Sequence, residues 1–340
     1  MRIQQLRERL QALGAKPCHE ARVLRAWLQA KPLESGRTAA GDYLPGRLRA
    51  ELPALSAELA GLAQLRSAHP GADGSSRLLV SLTDGQTVES VLLLREGLCV
   101  SSQVGCAVGC SFCMTGRDGL LRQLSSGEIV AQVVLGRSLR PVKKVVFMGM
   151  GEPAHNLDNV LEAIDLLGTL GNIGHKNLVF STVGDARVFE RLPVGTVKPA
   201  LALSLHSSRA EVRSQLLPKA PRIDPAELVA QADAYGRATG YPVQYQWTLI
   251  AGINDTDEEM DGLVRLLKGR YGLMNFIPYN TTESTGLPST QDFRRPTQQR
   301  IEEISQYLAD HGILTKMRQS AGQDVEGGCG QLRARTVNLT

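Results

Sequence analysis

Three of the six cysteines in this 340-residue chain lie within eight residues of one another. They are Cys106, Cys110 and Cys113, with the spacing C-x3-C-x2-C. Thiolates this close can hold three corners of an iron–sulfur cluster, and a four-iron cluster would then keep one iron open to a small chelating ligand. A zinc site is the alternative, but it needs a fourth ligand, and His155 and His206 are remote in sequence. The spacing therefore predicts a four-iron cluster.

Two more cysteines could take part in the same chemistry. Cys99 precedes the motif by seven residues, and Cys329 lies in the sequence GGCGQL near the C-terminus. The alternative for each is a buried free thiol, the usual state of a lone intracellular cysteine. We interpret Cys18 as structural. The glycines around Cys329 predict a mobile loop whose thiolate could accept a methyl group.

Repeated strand and helix patterns must position these cysteines. From about residue 97, six apolar runs alternate with amphipathic helices, which predicts parallel strands with helices outside. Six units are too few for a closed eight-fold barrel, so we expect an incomplete barrel with an open side. A doubly wound sheet is the alternative. The predicted strands are GLCVSSQV, KKVVFMGM, KNLVFST, PALALSL, VQYQWTLI and LMNFIPY.

The N-terminal part of the chain has a different pattern. Residues 1–70 form short amphipathic helices that end at the break His69-Pro70-Gly71, and two β-rich runs flanking Asp84-Gly85 predict a hairpin. Residues 1–70 hold eleven Lys and Arg against six Asp and Glu. This excess indicates a polyanionic partner, with an ordinary solvated helical face as the alternative. We expect a helical domain (1–70), a hairpin extension (75–98), a partial barrel (99–320) and a C-terminal loop (321–340).

Composition excludes several classes of protein. Hydrophobic residues make up 42% of the chain, which is ordinary for a globular protein and rules out wholesale disorder. No apolar run approaches the roughly 18 residues that span a bilayer, and the opening MRIQQLRERLQALG lacks the apolar stretch of a secretory signal. Six cysteines are too few for a disulfide scaffold. We therefore expect a cytoplasmic protein with no membrane partner.

Polar residues follow four of the predicted strands. In β/α barrels, chemistry gathers where the strands end at their carboxyl side. The second strand is followed by MGMGEP, in which Gly151 lets the backbone approach a ligand and Glu152 could accept from an amino group. The other candidate residues lie at the ends of the third, fourth and sixth strands and are Ser181, Ser204, Leu205, His206 and Asn280. Each of these alone is more often a turn or capping residue.

The segments CVSSQVGC, MGMGEP, SLH and GGCGQL, in this order, resemble the RlmN/Cfr family of radical S-adenosylmethionine (SAM) RNA methyltransferases. The aromatic residue before Cys113 fits the same superfamily, and the resemblance covers about residues 75–335. It implies an incomplete (β/α)6 radical SAM barrel, a 4Fe-4S cluster on the three cysteines and two SAM molecules per turnover. It also implies that Gly151 and Glu152 hold the SAM ammonium group. The SAM carboxylate, ribose and adenine would contact Ser181, Ser204, Leu205, His206 and Asn280.

The resemblance further implies a mechanism in two halves. One SAM methylates Cys329, and a second is cleaved at the open iron to a 5′-deoxyadenosyl radical, which takes a hydrogen from the S-methyl group. The carbon radical adds to C2 or C8 of an adenine. Cys99 then attacks the Cys329 sulfur to form a transient disulfide, and Glu89 in VESV removes the ring proton. A solvated strand carboxylate is the alternative for Glu89.

The same resemblance implies the partners. They are an RNA substrate, either rRNA or tRNA, and an electron donor such as a flavodoxin or ferredoxin, with the enzyme acting as a monomer. The sequence departs from the family pattern at STVGDAR around Ser181 and at CMTG after the cluster motif. Two other functions stay open: a radical SAM enzyme with a non-RNA substrate, and a noncatalytic iron–sulfur protein that binds RNA.

Overall fold

The computed structural model describes residues 1–280, 293–318 and 320–334. Its helices are α1 (Ile3–Ala12), α2 (Pro17–Leu28), α3 (Ala40–Tyr43), α4 (Gly46–Gly61), α5 (Ser126–Leu139), α6 (Leu157–Thr169), α7 (Ala186–Arg191), α8 (Ala210–Leu216), α9 (Pro225–Thr239), α10 (Asp257–Leu267) and α11 (Gln298–Asp310). Its strands are β1 (Gln64–Pro70), β2 (Ser76–Ser81), β3 (Thr87–Leu93), β4 (Gly97–Cys99), β5 (Gln103–Gly105), β6 (Leu120–Gln123), β7 (Lys144–Phe147), β8 (Leu178–Thr182), β9 (Ala200–Ser204), β10 (Val243–Leu249), β11 (Gly272–Pro278) and β12 (Thr315–Met317).

One large sheet runs through the described residues in the order β1-β2-β3-β4-β7-β8-β9-β10-β11-β12. The pairs from β4 to β12 are parallel, whereas β1 to β4 pair antiparallel. Because β1 and β12 are its two ends, the sheet is open. The predicted α/β fold with an incomplete parallel barrel is therefore confirmed. The sequence pattern does not predict β12, since three residues are too few to show a period.

The N-terminal part differs from the expectation at one boundary. The helices end at Gly61, and residues 64–70, which we expected to continue the helical part, form β1 and pair with β2. The pair β2–β3 is the predicted hairpin around Asp84-Gly85. Strand β1 is mostly exposed and polar, so it has no alternating apolar pattern for sequence reasoning to detect. Its pairing with the hairpin decides its structure.

The first predicted barrel strand is also shorter than expected. β4 ends at Cys99, and β5 pairs instead with β6 in a separate two-stranded sheet. Between them, the Ser101 hydroxyl donates to the Glu89 carbonyl (2.6 Å) and accepts from the Met150 amide (2.8 Å). These side-chain bonds take the place of backbone hydrogen bonds between strands, so the chain leaves the large sheet directly before the cysteine motif.

The connecting helices begin at residues that can cap them. Ser125 and Glu128 form a capping box at α5, in which the Ser125 amide donates to the Glu128 carboxylate (2.8 Å). Thr256 caps α10, and Asp224 caps α9. The helices cover a sheet whose largest fully buried side chains include Trp247 and Phe180. None of the described helices is long and apolar enough to cross a membrane.

Candidate active site

The segment from Cys106 to Cys113, called here the cysteine loop, is closed by the β5–β6 pair. The Cys106 amide donates to the Gly119 carbonyl (2.9 Å), and the Cys113 amide donates to the Cys110 carbonyl (3.0 Å). Gly105 has φ +77°, and a Cβ there would lie 2.0 Å from the Gly119 oxygen. Only glycine fits at this crossing, so the tight loop depends on it.

The three thiols of the cysteine loop lie close enough to affect one another. Burial raises the pKa of Cys106 to about 12, and the Cys113 charge raises it further. Burial also raises the pKa of Cys110, as do the Cys113 and Cys106 charges. Three thiolates in one buried place need a cation to offset their repulsion, which an iron–sulfur core supplies. The donor set therefore fits the cluster.

A single metal ion asks for a different arrangement. No three His, Cys, Asp or Glu side chains of the described ranges form a group that could hold one ion. The thiolates of a four-iron cluster each bind a different iron, so they need not converge on a point. Phe112, next to Cys113, packs its ring 4.8 Å from the His206 ring. The Phe112 side chain thus packs the cysteine loop against the residue that follows the end of β9.

Glu152, in the GEP segment after β7, is buried beside the cysteine loop. Its carboxylate accepts from the Ala154 amide (3.0 Å) and from the Val183 amide (3.0 Å), so it joins the end of β7 to the end of β8. Burial raises the pKa of Glu152 to about 7. The Glu152 charge also raises the pKa of Cys106 and Cys110. The predicted ammonium-binding residue therefore lies next to the proposed cluster ligands.

The predicted residues of β8 and β9 lie at the same edge. Ser181 and Ser204 are half-buried at the strand ends, and Leu205 is fully buried. His206 has φ +60°, and its Nδ1 accepts from the Thr248 amide (2.9 Å). Burial lowers the pKa of His206 to about 3. The ring is therefore neutral with its proton on Nε2, which can donate to a ligand.

Asn280 follows β11 and holds the segment that carries Cys329. Its Nδ2 donates to the Cys329 carbonyl (2.9 Å) and to the Ser320 hydroxyl (2.9 Å). Its buried Oδ1 has no hydrogen-bond partner among the described residues. Sequence reasoning predicted a SAM contact here, and the structure adds a contact with the Cys329 backbone.

The GGCGQL segment packs directly on the cysteine loop. The Met114 amide donates to the Gly330 carbonyl (2.7 Å), and the Thr115 hydroxyl donates to the Leu332 carbonyl (2.7 Å). Gly330 has φ +84°, and a Cβ there would lie 3.0 Å from the Phe112 oxygen. The predicted glycine-rich loop is thus held at several points in the described conformation.

Cys329 lies close enough to Cys99 and to Cys113 for their charges to interact, and all these thiols are free. Burial raises the pKa of Cys99, and the Cys329 charge adds to that effect. Cys329 is exposed, yet the atoms packed around its thiol raise its pKa, as does the Cys113 charge. A hydrogen bond from Ser320 and the Arg318 charge lower it. The Cys329 thiol is therefore electrostatically linked both to Cys99 and to the cysteine loop.

Glu89 on β3 is neither solvated nor free. It is fully buried, forms an ion pair with Arg77 on β2, and accepts from the Arg333 amide (2.7 Å). The alternative of a solvated strand carboxylate is therefore wrong. The carboxylate instead links the hairpin extension to the C-terminal segment, and no motif in the sequence indicates its partner Arg77.

Sequence reasoning also missed Arg213 on α8. Its Nη2 donates to the Val183 carbonyl and to the Ser204 carbonyl (3.3 Å), at the ends of β8 and β9. The side chain is buried beside the predicted SAM contacts. The signal in the sequence is weak, because one arginine in AEVRSQL looks like an ordinary helical surface residue.

Comparison with known proteins decides the family. The profile of the radical SAM superfamily matches residues 100–267. A solved structure of a radical SAM methyltransferase from Sphaerobacter thermophilus has 34% sequence identity and a TM-score of 0.82, with 98% of each chain covered. The chain belongs to the radical SAM methyltransferases. This membership confirms the predicted enzyme class, and a 4Fe-4S cluster and SAM follow as its cofactors.

Curated relatives of this radical SAM methyltransferase are similar over nearly their whole length. A probable RNA methyltransferase from Azoarcus sp. (strain BH72) is 70% identical, with 100% of this chain and 96% of the relative covered. Another from Dechloromonas aromatica (strain RCB) is 67% identical, with 99% and 94% covered. The similarity therefore includes both the N-terminal helices and the C-terminal segment.

Proposed function

We propose that this radical SAM methyltransferase methylates C2 or C8 of an adenine in RNA through the two-cysteine route of the RlmN/Cfr family. The relatives named as RNA methyltransferases support the substrate class. The observation that carries the route is the place of Cys329. It lies close enough to Cys99 and Cys113 for their charges to interact, although about 230 residues separate it from Cys99. The RNA is rRNA or tRNA.

In this proposal Cys329 accepts a methyl group from the first SAM. The hydrogen bond from Ser320 and the charge of Arg318 favour its thiolate, which is the nucleophilic form. Asn280 fixes the Cys329 carbonyl, so the sulfur keeps one position beside the cysteine loop. When bound by Cys106, Cys110 and Cys113, the cluster supplies the electron that starts the radical chemistry on a second SAM.

Cys99 has the later role of resolving the covalent RNA intermediate. Burial raises its pKa, so the thiol stays protonated and inert while Cys329 carries the methyl group. After losing its proton it attacks the Cys329 sulfur, so that the disulfide forms as the bond from that sulfur to the RNA-bound carbon breaks. That carbon keeps the electron pair and takes up a proton to become the methyl group, and an external reductant such as a thiol reopens the disulfide. Glu89 accepts the ring proton. Its bond to the Arg333 amide must open for this, because both carboxylate oxygens are engaged.

The N-terminal helices supply a surface suited to phosphates. A concavity of about 900 Å³ is lined by Arg22, Arg25, Lys31 and Arg37, with no Asp or Glu in its lining. The Arg22 guanidinium lies 4.9 Å from the Tyr43 ring and donates to the carbonyls that shape the loop carrying Arg37. RNA backbones are recognised by such cations. We propose that residues 1–70 bind RNA here.

Separate cysteine variants test the two-cysteine route. Cys329→Ala should abolish methylation of total RNA, because no methyl carrier remains. Cys99→Ala should instead accumulate a covalent protein–RNA adduct through Cys329, visible as an RNase-sensitive mass shift. Cys18→Ala is the matched control, since Cys18 is exposed on α2, and it should methylate RNA normally. Methylation by both variants would overturn the proposal. Formation of 5′-deoxyadenosine without RNA methylation would point to a non-RNA substrate.

Salt dependence tests the RNA-binding concavity. Replacing Arg25 and Arg37 with Gln should weaken RNA binding. It should also reduce the slope of log affinity against log salt by about 1 to 2, because binding releases about one counterion fewer for each phosphate contact that is lost. The matched control replaces Lys176 and Lys198 with Gln. Both are exposed and precede β8 and β9, at the edge of the sheet opposite the candidate active site. An equal change in both double variants would show a general charge effect.

A further inference from the structure

Helix α8 and the residues that follow it lie against the cysteine loop at two points. The Ser111 amide donates to the Leu216 carbonyl (3.0 Å) at the end of α8, and the Lys219 amide donates to the Val108 carbonyl (3.3 Å). Apolar packing adds to these bonds, since Cys106, Val108, Val183, Leu216 and Leu217 belong to one buried cluster. A side chain on the inner face of α8 is therefore held in a fixed position relative to the three thiols.

Arg213 is that side chain, and it is only 4% exposed. Its Nη2 donates to the carbonyls of Val183 and Ser204, whereas its Nε has no hydrogen-bond partner among the described residues. No carboxylate in the part of the chain described here forms an ion pair with it. A buried charge without a counter-ion is strongly unfavourable. Arg213 therefore has no ion-pair partner among the described residues, although the Glu152 carboxyl group lies close enough to influence it.

Electrostatic effects show where an anion would stabilise Arg213. Burial lowers the pKa of Arg213 to about 10, so the guanidinium keeps its charge at neutral pH. Negative charge on Cys110 and Glu152 opposes this lowering. The three thiolates of the cysteine loop and an oxidised four-iron core together carry a net negative charge. A cluster bound by the cysteine loop would add net negative charge to the place against which the α8 segment holds Arg213.

We propose that Arg213 is the counter-charge of the iron–sulfur cluster and favours its one-electron reduction. The inference rests on the proposed ligation by Cys106, Cys110 and Cys113. Reduction transfers one electron from an external low-potential donor to the cluster, and no bond breaks and no proton moves. The added negative charge interacts with a guanidinium that water and salt screen poorly, so Arg213 stabilises the reduced state more than the oxidised state.

Variants that separate charge from hydrogen bonding test this role. Arg213→Gln keeps amide donors without the charge, Arg213→Met keeps the length, and Arg213→Lys keeps the charge. Arg209→Gln is the matched control, because Arg209 precedes α8 and forms an ion pair with Glu258 on the surface. The full-length chain is reconstituted anaerobically with iron and sulfide. Iron content and thermal unfolding are measured first, and electron paramagnetic resonance then gives the reduced fraction at fixed potentials.

The proposal expects the neutral variants to be reduced about tenfold less at a fixed potential, which is a shift of about 59 mV for a one-electron couple. Arg213→Lys and Arg209→Gln should stay close to the unchanged chain. If both neutral variants lose their iron while Arg213→Lys retains it, the counter-charge role also stands. Equal effects in all three Arg213 variants, or no effect in any, would overturn it. A lack of iron in the unchanged chain would instead refute the proposed ligation.

Discussion

The cysteine loop and the C-terminal segment 320–334 both bring a cysteine to the same edge of the sheet, but they are built in different ways. The cysteine loop is shaped mainly by near neighbours in sequence, such as the contact of Gly105 with Gly119. The C-terminal segment depends on residues more than 200 positions away, including Thr115 and Glu89. A ligand set can therefore be local in sequence, whereas bringing Cys329 near Cys99 requires the whole fold.

The anchors of the C-terminal segment come from the hairpin extension as well. The Ala72 amide donates to the Asp324 carboxylate (2.8 Å), and the Gly322 amide donates to the Asp73 carboxylate (3.0 Å). The turn between β1 and β2 thus binds the beginning of the segment. The turn between two antiparallel strands therefore helps to hold the segment that carries Cys329.

The largest expected effect concerns the cysteine loop. Cys110→Ala should prevent stable cluster assembly, because the remaining two thiolates cannot hold the iron core. Anaerobic reconstitution should give about four irons in the unchanged chain and far fewer in the variant. Cys18→Ala is the control and should retain the iron. Stoichiometric zinc without iron-linked absorbance in the unchanged chain would contradict the predicted site.

Breaking the buried pair at Glu89 should release the C-terminal segment. Glu89→Leu leaves the Arg77 charge buried without its partner and removes the acceptor of the Arg333 amide, which lowers the free energy of unfolding by about 3–5 kcal/mol. Hydrogen exchange in residues 327–334 should also become faster. The double variant Arg77→Met/Glu89→Leu is the control: stability should largely return while exchange stays fast, because the anchor of the Arg333 amide is still absent. Slow exchange in both would show that Glu89 does not anchor the segment.

The neutral imidazole of His206 predicts a pH effect on stability. Its pKa is lowered to about 3 in the folded chain, against about 6.5 when unfolded, so the unfolded chain binds more protons between these values. The contribution of the neutral His206 ring to the free energy of unfolding is therefore present in full above about pH 6.5 and is lost as the pH falls towards 3. Relative to His206→Asn, the metal-free chain should lose about 2 kcal/mol of unfolding free energy between pH 7 and pH 5.

His206→Asn is a suitable comparison because asparagine tolerates the positive φ at this position. Urea unfolding at several pH values gives both free energies. Parallel curves for the two chains would show that His206 is not the titrating group.

The smallest expected effect concerns the second contact of Arg333. Its guanidinium donates to both Asp118 oxygens (2.8 and 2.9 Å), but Asp118 is exposed. Asp118→Asn should lower the free energy of unfolding by less than about 1 kcal/mol, and less still at high salt. Exchange in residues 327–334 should stay slow. A loss as large as that of Glu89→Leu would mean that the surface pair, and not the buried one, holds the segment.

Much of the fold follows from the sequence because its signals are local. The alternation of apolar runs and amphipathic helices predicts the parallel units, and the spacing of Cys106, Cys110 and Cys113 indicates a ligand set within one loop. Strand β1 gives no such signal, since it is exposed and polar and forms only by pairing with β2. Three-residue strands such as β12 are likewise too short to show a period.

The sequence by itself determined the candidate residues, and the tertiary structure alone decided which of them meet. The types and spacing of the cysteines, and the polar residues after buried strands, can be read directly from the chain. The pairing of Glu89 with Arg77, the place of Arg213 under the ends of β8 and β9, and the position of Cys329 beside Cys99 cannot. Each of these contacts joins distant segments, and burial determines the charge and protonation of the groups involved. Neither property is encoded in any short stretch of residues.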